Sequence, residues 1–174
     1  RQWRNWQLSI GMSDRPIAHS ISRGNNHMPP PALTKYQRTR AIQGPWRIFG
    51  YPEETGFAGA VVIPALGESA HLFTTLRSLA TNPPELLARF LVLVVVNHLE
   101  DSLPCDKEDN YETLKQLAAL DPELAPLRLA WVDAASPGME MPAKNGGVGL
   151  ARKIGLDLAL TRLSFTAQSP LLVS

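Results

Sequence analysis

One stretch constrains the fold more than any other: the apolar run 58–63, which is followed by Pro64, a short turn and Glu68. β-Branched residues without polar alternation indicate a strand that is buried on both faces. We expect Pro64 to end this strand, because proline lacks the N–H that a central strand donates. Glu68 and Ser69 then begin a helix, where the first N–H groups lack partners. Such a turn lies at the carboxyl edge of a sheet, which is where open parallel sheets bind ligands.

Strand and helix patterns alternate from Phe57 to the end of the chain. We expect strands at 58–63, 90–96, 127–132 and 171–173, and helices that end before Asn82 and that span 111–120 and 147–163. The second strand is apolar throughout and is predicted to be central, whereas the third alternates and is predicted to lie nearer an edge. This order predicts an α/β fold with a Rossmann-like parallel sheet and helices on both faces.

Composition excludes several classes of protein. The 174 residues are 44% hydrophobic and 19% charged, which indicates one domain with a substantial core. The net charge of +1 gives no electrostatic case for nucleic acid. No apolar run approaches the roughly 20 residues of a membrane span. The single cysteine, Cys105, allows no internal disulfide and favours the cytoplasm; it is predicted to lie in a polar loop without a base beside it.

Three loops at the predicted carboxyl ends of the strands could carry chemistry: 64–68, 97–101 and 144–149. The last combines Lys144 with three glycines and a following helix, whose free N–H groups can bind an anion. Arg152 and Lys153 add positive charge near the start of that helix, where its dipole does not favour it. A phosphate group would explain these cations; a plain turn with solvated or paired side chains explains them equally well.

The loop after the second strand offers weaker candidates. Asn97 could bind a base or ribose, or could simply form the turn. His98 could act as a general base, although one histidine in a loop is weak evidence. Glu100 and Asp101 could bind a cation, but a solvated turn fits better. No G-x-G-x-x-G follows the first strand and no G-x-x-x-x-G-K-[ST] occurs, which excludes both nucleotide-binding fingerprints.

Three segments together resemble the family 2 glycosyltransferases. Residues 60–69, AVVIPALGES, resemble the family's opening V-I-P-A-x-N-E, with Gly67 where asparagine is usual. Residues 94–97, VVVN, stand where the family has V-V-D-D or V-V-D-N. Residues 145–155 are similar to its segment N-x-G-x-x-x-A-R-N-x-G. The segments follow the family's order and intervals, and the match covers 57–174.

The resemblance implies a GT-A fold whose amino-terminal half holds a nucleotide-diphosphate sugar. In that family the first loop and the end of the second strand contact the base and ribose, and the glycine loop and its arginine lie near the phosphates. The nucleotide-sugar-binding positions in this sequence are then Pro64, Ala65, Leu66, Glu68, Asn97, Gly147 and Arg152, to which we add Lys144 for its charge. The implied reaction is sugar transfer, with inversion, to an unidentified acceptor hydroxyl.

The family's D-x-D motif, which holds Mg²⁺ or Mn²⁺ against the diphosphate, follows its fourth strand. This sequence contains no D-x-D. We therefore expect the metal, the acceptor half and the catalytic base to belong to sequence beyond Ser174, and this chain to be a fragment that is inactive alone. A truncated sheet would expose the edge of the fourth strand, which predicts self-association.

Residues 1–56 form a predicted extension before the domain at 57–174. Its basic residues outnumber its acids, and a short helix is expected at 33–42. One interpretation is a solvated arm that wraps around the domain, with Trp3, Trp6 and Trp46 packed on the core. The other is contact with a membrane surface or a lipid-linked acceptor, which would place the protein on the cytoplasmic face of a membrane.

Two further functions fit the same pattern. A non-catalytic module would bind a nucleotide or a partner and transfer nothing. A different Rossmann-like enzyme, such as a methyltransferase, would bind an adenosyl cofactor instead of a nucleotide sugar.

Overall fold

The computed structural model describes residues 30–50, 55–119, 121–165 and 169–174. Their elements are, in chain order, α1 (Pro31–Thr39), β1 (Ile48–Phe49), β2 (Gly59–Ala65), α2 (Ser69–Ala80), α3 (Pro84–Leu87), β3 (Phe90–Asn97), α4 (Pro104–Ala119), a 3₁₀ turn (Pro122–Leu124), β4 (Arg128–Ala134), α5 (Val148–Ala159) and β5 (Leu171–Val173). The five strands form one sheet in the order β1-β4-β3-β2-β5. The predicted α/β class is confirmed.

The sheet is mixed rather than wholly parallel, which corrects the sequence prediction. Strands β2 to β5 pair in parallel, but β1 runs antiparallel to β4, with Ile48 opposite Val132. β1 belongs to the segment that the sequence assigns to the extension. It covers the outer edge of β4, so that β4 is buried along almost its whole length.

Helices cover both faces of the sheet. On one face, Ile154 of α5 packs with Val62 and Val95 of the strands. On the other face, Leu76 of α2 and Leu117 of α4 belong to a second buried cluster. β3 lies at the centre, and its residues 91–96 are at most 5% exposed. Burial of each valine or leucine there stabilises the fold by about 1.5–3 kcal/mol.

Gly155 explains how closely α5 approaches the sheet. A Cβ at this position would overlap the side chains of Val62 and Val95. Glycine inside a helix costs about 1 kcal/mol relative to alanine. Here the absent side chain lets the helix lie directly on two strands.

The prediction that Pro64 ends the first strand is wrong. β2 continues through Pro64 to Ala65, in register with β3. β5 pairs only with 59–61 of β2. Among the described residues, the far half of β2 therefore has a strand on one side only, and proline is tolerated on such an edge.

Two predicted helix boundaries are also wrong. α4 begins at Pro104 instead of residue 111, because proline in the first turn has no N–H to leave unpaired. Cys105 consequently lies in a helix, exposed, and not in a loop. α5 ends at Ala159, and Leu163 forms a bridge with Phe57 at the start of the domain.

The described part of the extension packs on the domain. α1 spans Pro31–Thr39, close to the predicted helix. Trp46 is half-buried against the α5 face, and its indole N–H donates to the Met139 carbonyl at 2.7 Å. Trp3, Trp6 and the basic residues before position 30 lie outside the described residues. No helix among the described ranges is long and apolar enough to cross a membrane.

Candidate functional site

The loop after β2 opens the carboxyl edge of the sheet. Pro64 is half-buried and Ala65 is buried, while Leu66 is 46% exposed and Glu68 is also exposed. Between them Gly67 has a φ of +63°, a left-handed conformation that favours glycine. Gly67 adopts this conformation without strain, and asparagine, which is usual here in the family that the sequence resembles, is one of the few other residues that tolerate it.

At the start of α2, a backbone N–H group is paired with a carboxylate from α4 and not with Glu68. The Glu68 side chain caps no N–H group of the helix. Asp109 instead accepts from the Ser69 backbone N–H at 3.0 Å and from the Ser69 hydroxyl. Negative charge thus lies at this N-terminus, as the dipole favours, but it comes from another element.

Asn110 joins the loop after β2 to the end of β3. Its Oδ1 accepts from the Gly67 N–H at 3.1 Å, and its Nδ2 donates to the Asn97 carbonyl at 3.0 Å. The orientation of this amide is fixed chemically, because Gly67 offers only a donor and the Asn97 carbonyl only an acceptor. Asn110 is fully buried.

The orientation of Asn110 in turn fixes the tautomer of His98. Asn110 Nδ2 lies 3.1 Å from His98 Nδ1, which must therefore accept. The ring is neutral, carries its proton on Nε2, and meets Tyr111 edge-on with centroids 6.2 Å apart. Nε2 is buried and has no hydrogen-bond partner among the described residues.

The environment of His98 lowers its pKa. Burial is the largest cause, and the nearby charge of Lys107 acts in the same direction. Glu140, Asp133 and Asp106 raise the pKa but do not compensate. Burial also raises the pKa of Tyr111. The Nδ1 atom of His98 already accepts a hydrogen bond from Asn110, and Nε2 carries the proton. The ring therefore has no free lone pair with which to act as the general base that the sequence suggested.

Asn97 ends β3 with its side chain 3% exposed. Its Oδ1 is buried and finds no partner among the described residues. An unpaired buried carbonyl of this kind costs about 1–3 kcal/mol. A ligand donor at this position would remove that cost.

The loop after β4 is tied to the loop after β3. The Met141 N–H donates to the His98 carbonyl, and the Glu100 N–H to the Met141 carbonyl, each at 3.0 Å. A Cβ on Gly146 would overlap the side chain of Leu99. Asp133 orders the turn after β4, because its Oδ1 accepts hydrogen bonds from the backbone N–H groups of residues 135 and 136. All three predicted loops therefore meet at one edge.

The glycine loop, residues 144–149, leads into α5, whose N-terminus has no side-chain cap. Asn145 and Gly147 both have positive φ, at 65° and 92°. Gly147 is half-buried, whereas Lys144 and Arg152 are exposed. Neither of these two charged groups pairs with another side chain of the described ranges.

Lys153 has a structural role and is not available to a phosphate. Its Nζ pairs with Asp157 at 2.6 Å and donates to the Arg40 carbonyl at 2.9 Å. The hydrogen bond to Asp157 raises the pKa of Lys153. Of the three cations that the sequence linked to an anion, Lys144 and Arg152 lack such a partner in the described chain, and Lys153 does not.

The residues present do not fit the divalent ion that the family resemblance implies. Mg²⁺ and Mn²⁺ prefer oxygen ligands from several carboxylates. The described ranges contain no group of three or more His, Cys, Asp or Glu side chains arranged to hold a metal.

Sequence reasoning missed Asn110 and Asp133. Asn110 shares the buried face of α4 with Leu114 and Leu117, at the helical intervals of four and seven. An amide on that face would have been conspicuous had the helix been started at Pro104. Asp133 directly follows the predicted third strand, so a carboxylate at that carboxyl end was a signal that could have found it.

Comparisons with protein-family models, with curated proteins and with solved structures gave no match to this chain. The carboxyl edge of the sheet and the motifs within it are therefore the features that bear on function.

Proposed function

We propose that this chain is the donor-nucleotide-binding half of a glycosyltransferase that uses a nucleotide-diphosphate sugar. One observation carries the proposal: the strand order reverses beside β2. The chain moves from β2 to β3 and β4 on one side, and then returns to place β5 on the other side of β2. Open α/β sheets bind ligands at the carboxyl ends of the strands where the order reverses.

The start of α5 supplies what a diphosphate needs. Gly147 begins the helix without a side-chain cap, so the first N–H groups can bind phosphate oxygens. Lys144 and Arg152 bring exposed cations to the same end of the helix. Arginine adds paired donors suited to phosphate geometry.

The end of β3 supplies groups for the nucleoside. The carboxamide of Asn97 can both donate and accept, which suits a base edge or a ribose hydroxyl. Its unpaired Oδ1 supports this assignment. The loop 64–68 borders the same edge, with Leu66 and Glu68 open to solvent.

Thermal-shift titration tests the proposal directly. The chain is titrated with UDP, GDP, ADP, CDP and dTDP, each with and without Mn²⁺, since a ligand of the native state raises its melting temperature. A shift with one nucleotide that is lost in Arg152→Ala supports the proposal. Arg162→Ala, which removes a half-buried arginine beyond the opposite end of α5, is the comparison variant. No shift with any nucleotide overturns the donor site.

A module that binds a nucleotide without transferring sugar is the second candidate. Both candidates use the same carboxyl edge and differ in whether the bound nucleotide sugar is cleaved. Incubation of the chain with the matching nucleotide sugar separates the two. Release of the nucleotide diphosphate indicates turnover, whereas binding without release indicates the module.

A further inference from the structure

We propose that Asn110 is the positioning residue of the nucleotide site: its amide holds the loop after β2 and the end of β3 in one fixed arrangement, and this arrangement requires a neutral His98 ring. The inference rests on the proposed function, because it assigns these two strand ends to the nucleoside. It concerns a residue outside every motif that resembles the family.

The hydrogen bonds of Asn110 account for this role. Its three contacts, to Gly67, Asn97 and His98, all lie between 3.0 and 3.1 Å. They use both amide hydrogens and one lone pair of the oxygen. No other side chain of the described ranges links β2's loop to the β3 end in this way.

The position of Asn110 explains why these contacts are rigid. The side chain is fully buried and lies on a helix whose next turns anchor Leu114 and Leu117 in the core. Hydrogen bonds in such surroundings are stronger than in water, and an unpaired partner is costly. A shift of α4 would therefore move Gly67 and Asn97 together.

His98 makes the arrangement dependent on protonation. An imidazolium carries protons on both nitrogens, so that its Nδ1 would face the Asn110 amide as a second donor. The charges around the ring are Lys107 and Asp106 on α4, together with Asp133 and Glu140 on β4 and its following loop. The neutral Nε2–H form is the only one that fits the Asn110 contacts.

NMR on the wild-type chain gives the first test. We expect the ¹⁵N shifts of the His98 ring at pH 7.5 to show a proton on Nε2 alone, and the Gly67 amide to exchange slowly with solvent. A proton on Nδ1 overturns the proposal. This measurement needs no variant, so it remains decisive if a substitution prevents folding.

Variants then connect the contacts to binding. Asn110→Leu removes all three contacts and keeps the branching of the side chain at Cγ; we expect about tenfold faster Gly67 exchange and about tenfold weaker nucleotide binding. Asn110→Asp keeps the acceptor for Gly67, and should restore slow Gly67 exchange while the His98 ring becomes doubly protonated near neutral pH. The control is Thr113→Val on the same buried face, which removes a hydroxyl without a partner in the described chain.

The outcomes separate this inference from the proposed function. If the wild type binds one of the five nucleotide diphosphates and Asn110→Leu binds it equally well, the positioning role is overturned and the donor site stands. If the wild type binds none of them, both are overturned. Weaker binding in Asn110→Leu with unchanged binding in Thr113→Val supports the role.

Discussion

Asp157 accepts a hydrogen bond from the Tyr36 hydroxyl at 2.8 Å, across 121 positions of sequence. Its other oxygen accepts from the Ile42 backbone N–H at 2.8 Å and pairs with Lys153. The Asp157 side chain is only 4% exposed. One buried carboxylate on α5 therefore attaches α1 and the segment after it to the domain.

Removal of the Asp157 charge should loosen that attachment. In Asp157→Asn, the donors of Tyr36, Ile42 and Lys153 lose their charged acceptor or share a weaker one. We expect the free energy of unfolding to fall by about 1–3 kcal/mol, because hydrogen bonds to a buried charged acceptor contribute about that much. Urea unfolding measures the change, and limited proteolysis shows whether the chain opens first near Arg40.

A double-mutant cycle with Tyr36→Phe serves as the control. Tyr36→Phe alone removes one hydrogen bond and should cost about 1 kcal/mol. Because the two residues are in contact, the double variant should lose less than the sum of the two single variants. Additive losses would contradict a direct coupling.

A second prediction concerns the close approach of α5 to the sheet. Gly155→Ala improves helix propensity by about 1 kcal/mol, yet its Cβ would overlap Val62 and Val95. Overpacking costs about 1–3 kcal/mol, so we expect a net loss of stability. Gly149→Ala is the matched control, since nothing lies within 4 Å of a Cβ there. Equal stabilisation in both variants would contradict the packing described for Gly155.

A third prediction compares the losses of stability at two neighbouring residues of α2, Leu76 and Arg77. Leu76 is fully buried, and Leu76→Ala should cost about 2–5 kcal/mol. Arg77 pairs with Asp121 at 2.8 Å and with Glu123 at 2.6 Å, but its side chain is 48% exposed. Exposed ion pairs contribute little, so Arg77→Ala should leave the urea midpoint unchanged. A larger loss for Arg77→Ala than for Leu76→Ala would reverse this ranking.

The apolar strands could be predicted because their pattern is local. β3 needs no information beyond its own residues to be recognised as buried on both faces, and it was located to within one residue. The boundaries at Pro64 and Pro104 could not be predicted from the prolines alone. Whether a missing N–H matters depends on the neighbouring strand or on the first helical turn, which are properties of the tertiary structure.

The polar contacts between distant segments were beyond sequence reasoning for a similar reason. Nothing near Asp157 indicates that it pairs with Tyr36, and nothing near Ile48 predicts its pairing with Val132. The three candidate loops could be predicted, since parallel strands place their carboxyl ends at one edge. Asn110 joins two of those loops. It lies on α4, a helix whose predicted start at residue 111 was seven residues after the observed one at Pro104.

The lowered pKa of His98 predicts a pH dependence of stability. The unfolded chain takes up a proton near the ordinary value of 6.5, whereas the folded chain does so only at lower pH. The unfolded state therefore binds more protons between these two values, so the free energy of unfolding falls as pH decreases below about 6.5, by at most about 1.4 kcal/mol per pH unit. The loss levels off once the folded ring is protonated as well. Urea midpoints between pH 7.5 and 4.5 measure it.

Two histidine variants separate His98 from the remaining titrating groups. Gln at position 98 can still accept from Asn110 but does not titrate, so His98→Gln should flatten the decrease that begins below pH 6.5. The His71 side chain is exposed and makes no hydrogen bond or ion pair within the described ranges, so His71→Gln should leave the decrease intact. An unchanged pH dependence in His98→Gln would show that another group is responsible. A flattened curve in His98→Gln alone would mean that the neutral ring, which the Asn110 amide requires, is also what ties the stability of the fold to pH.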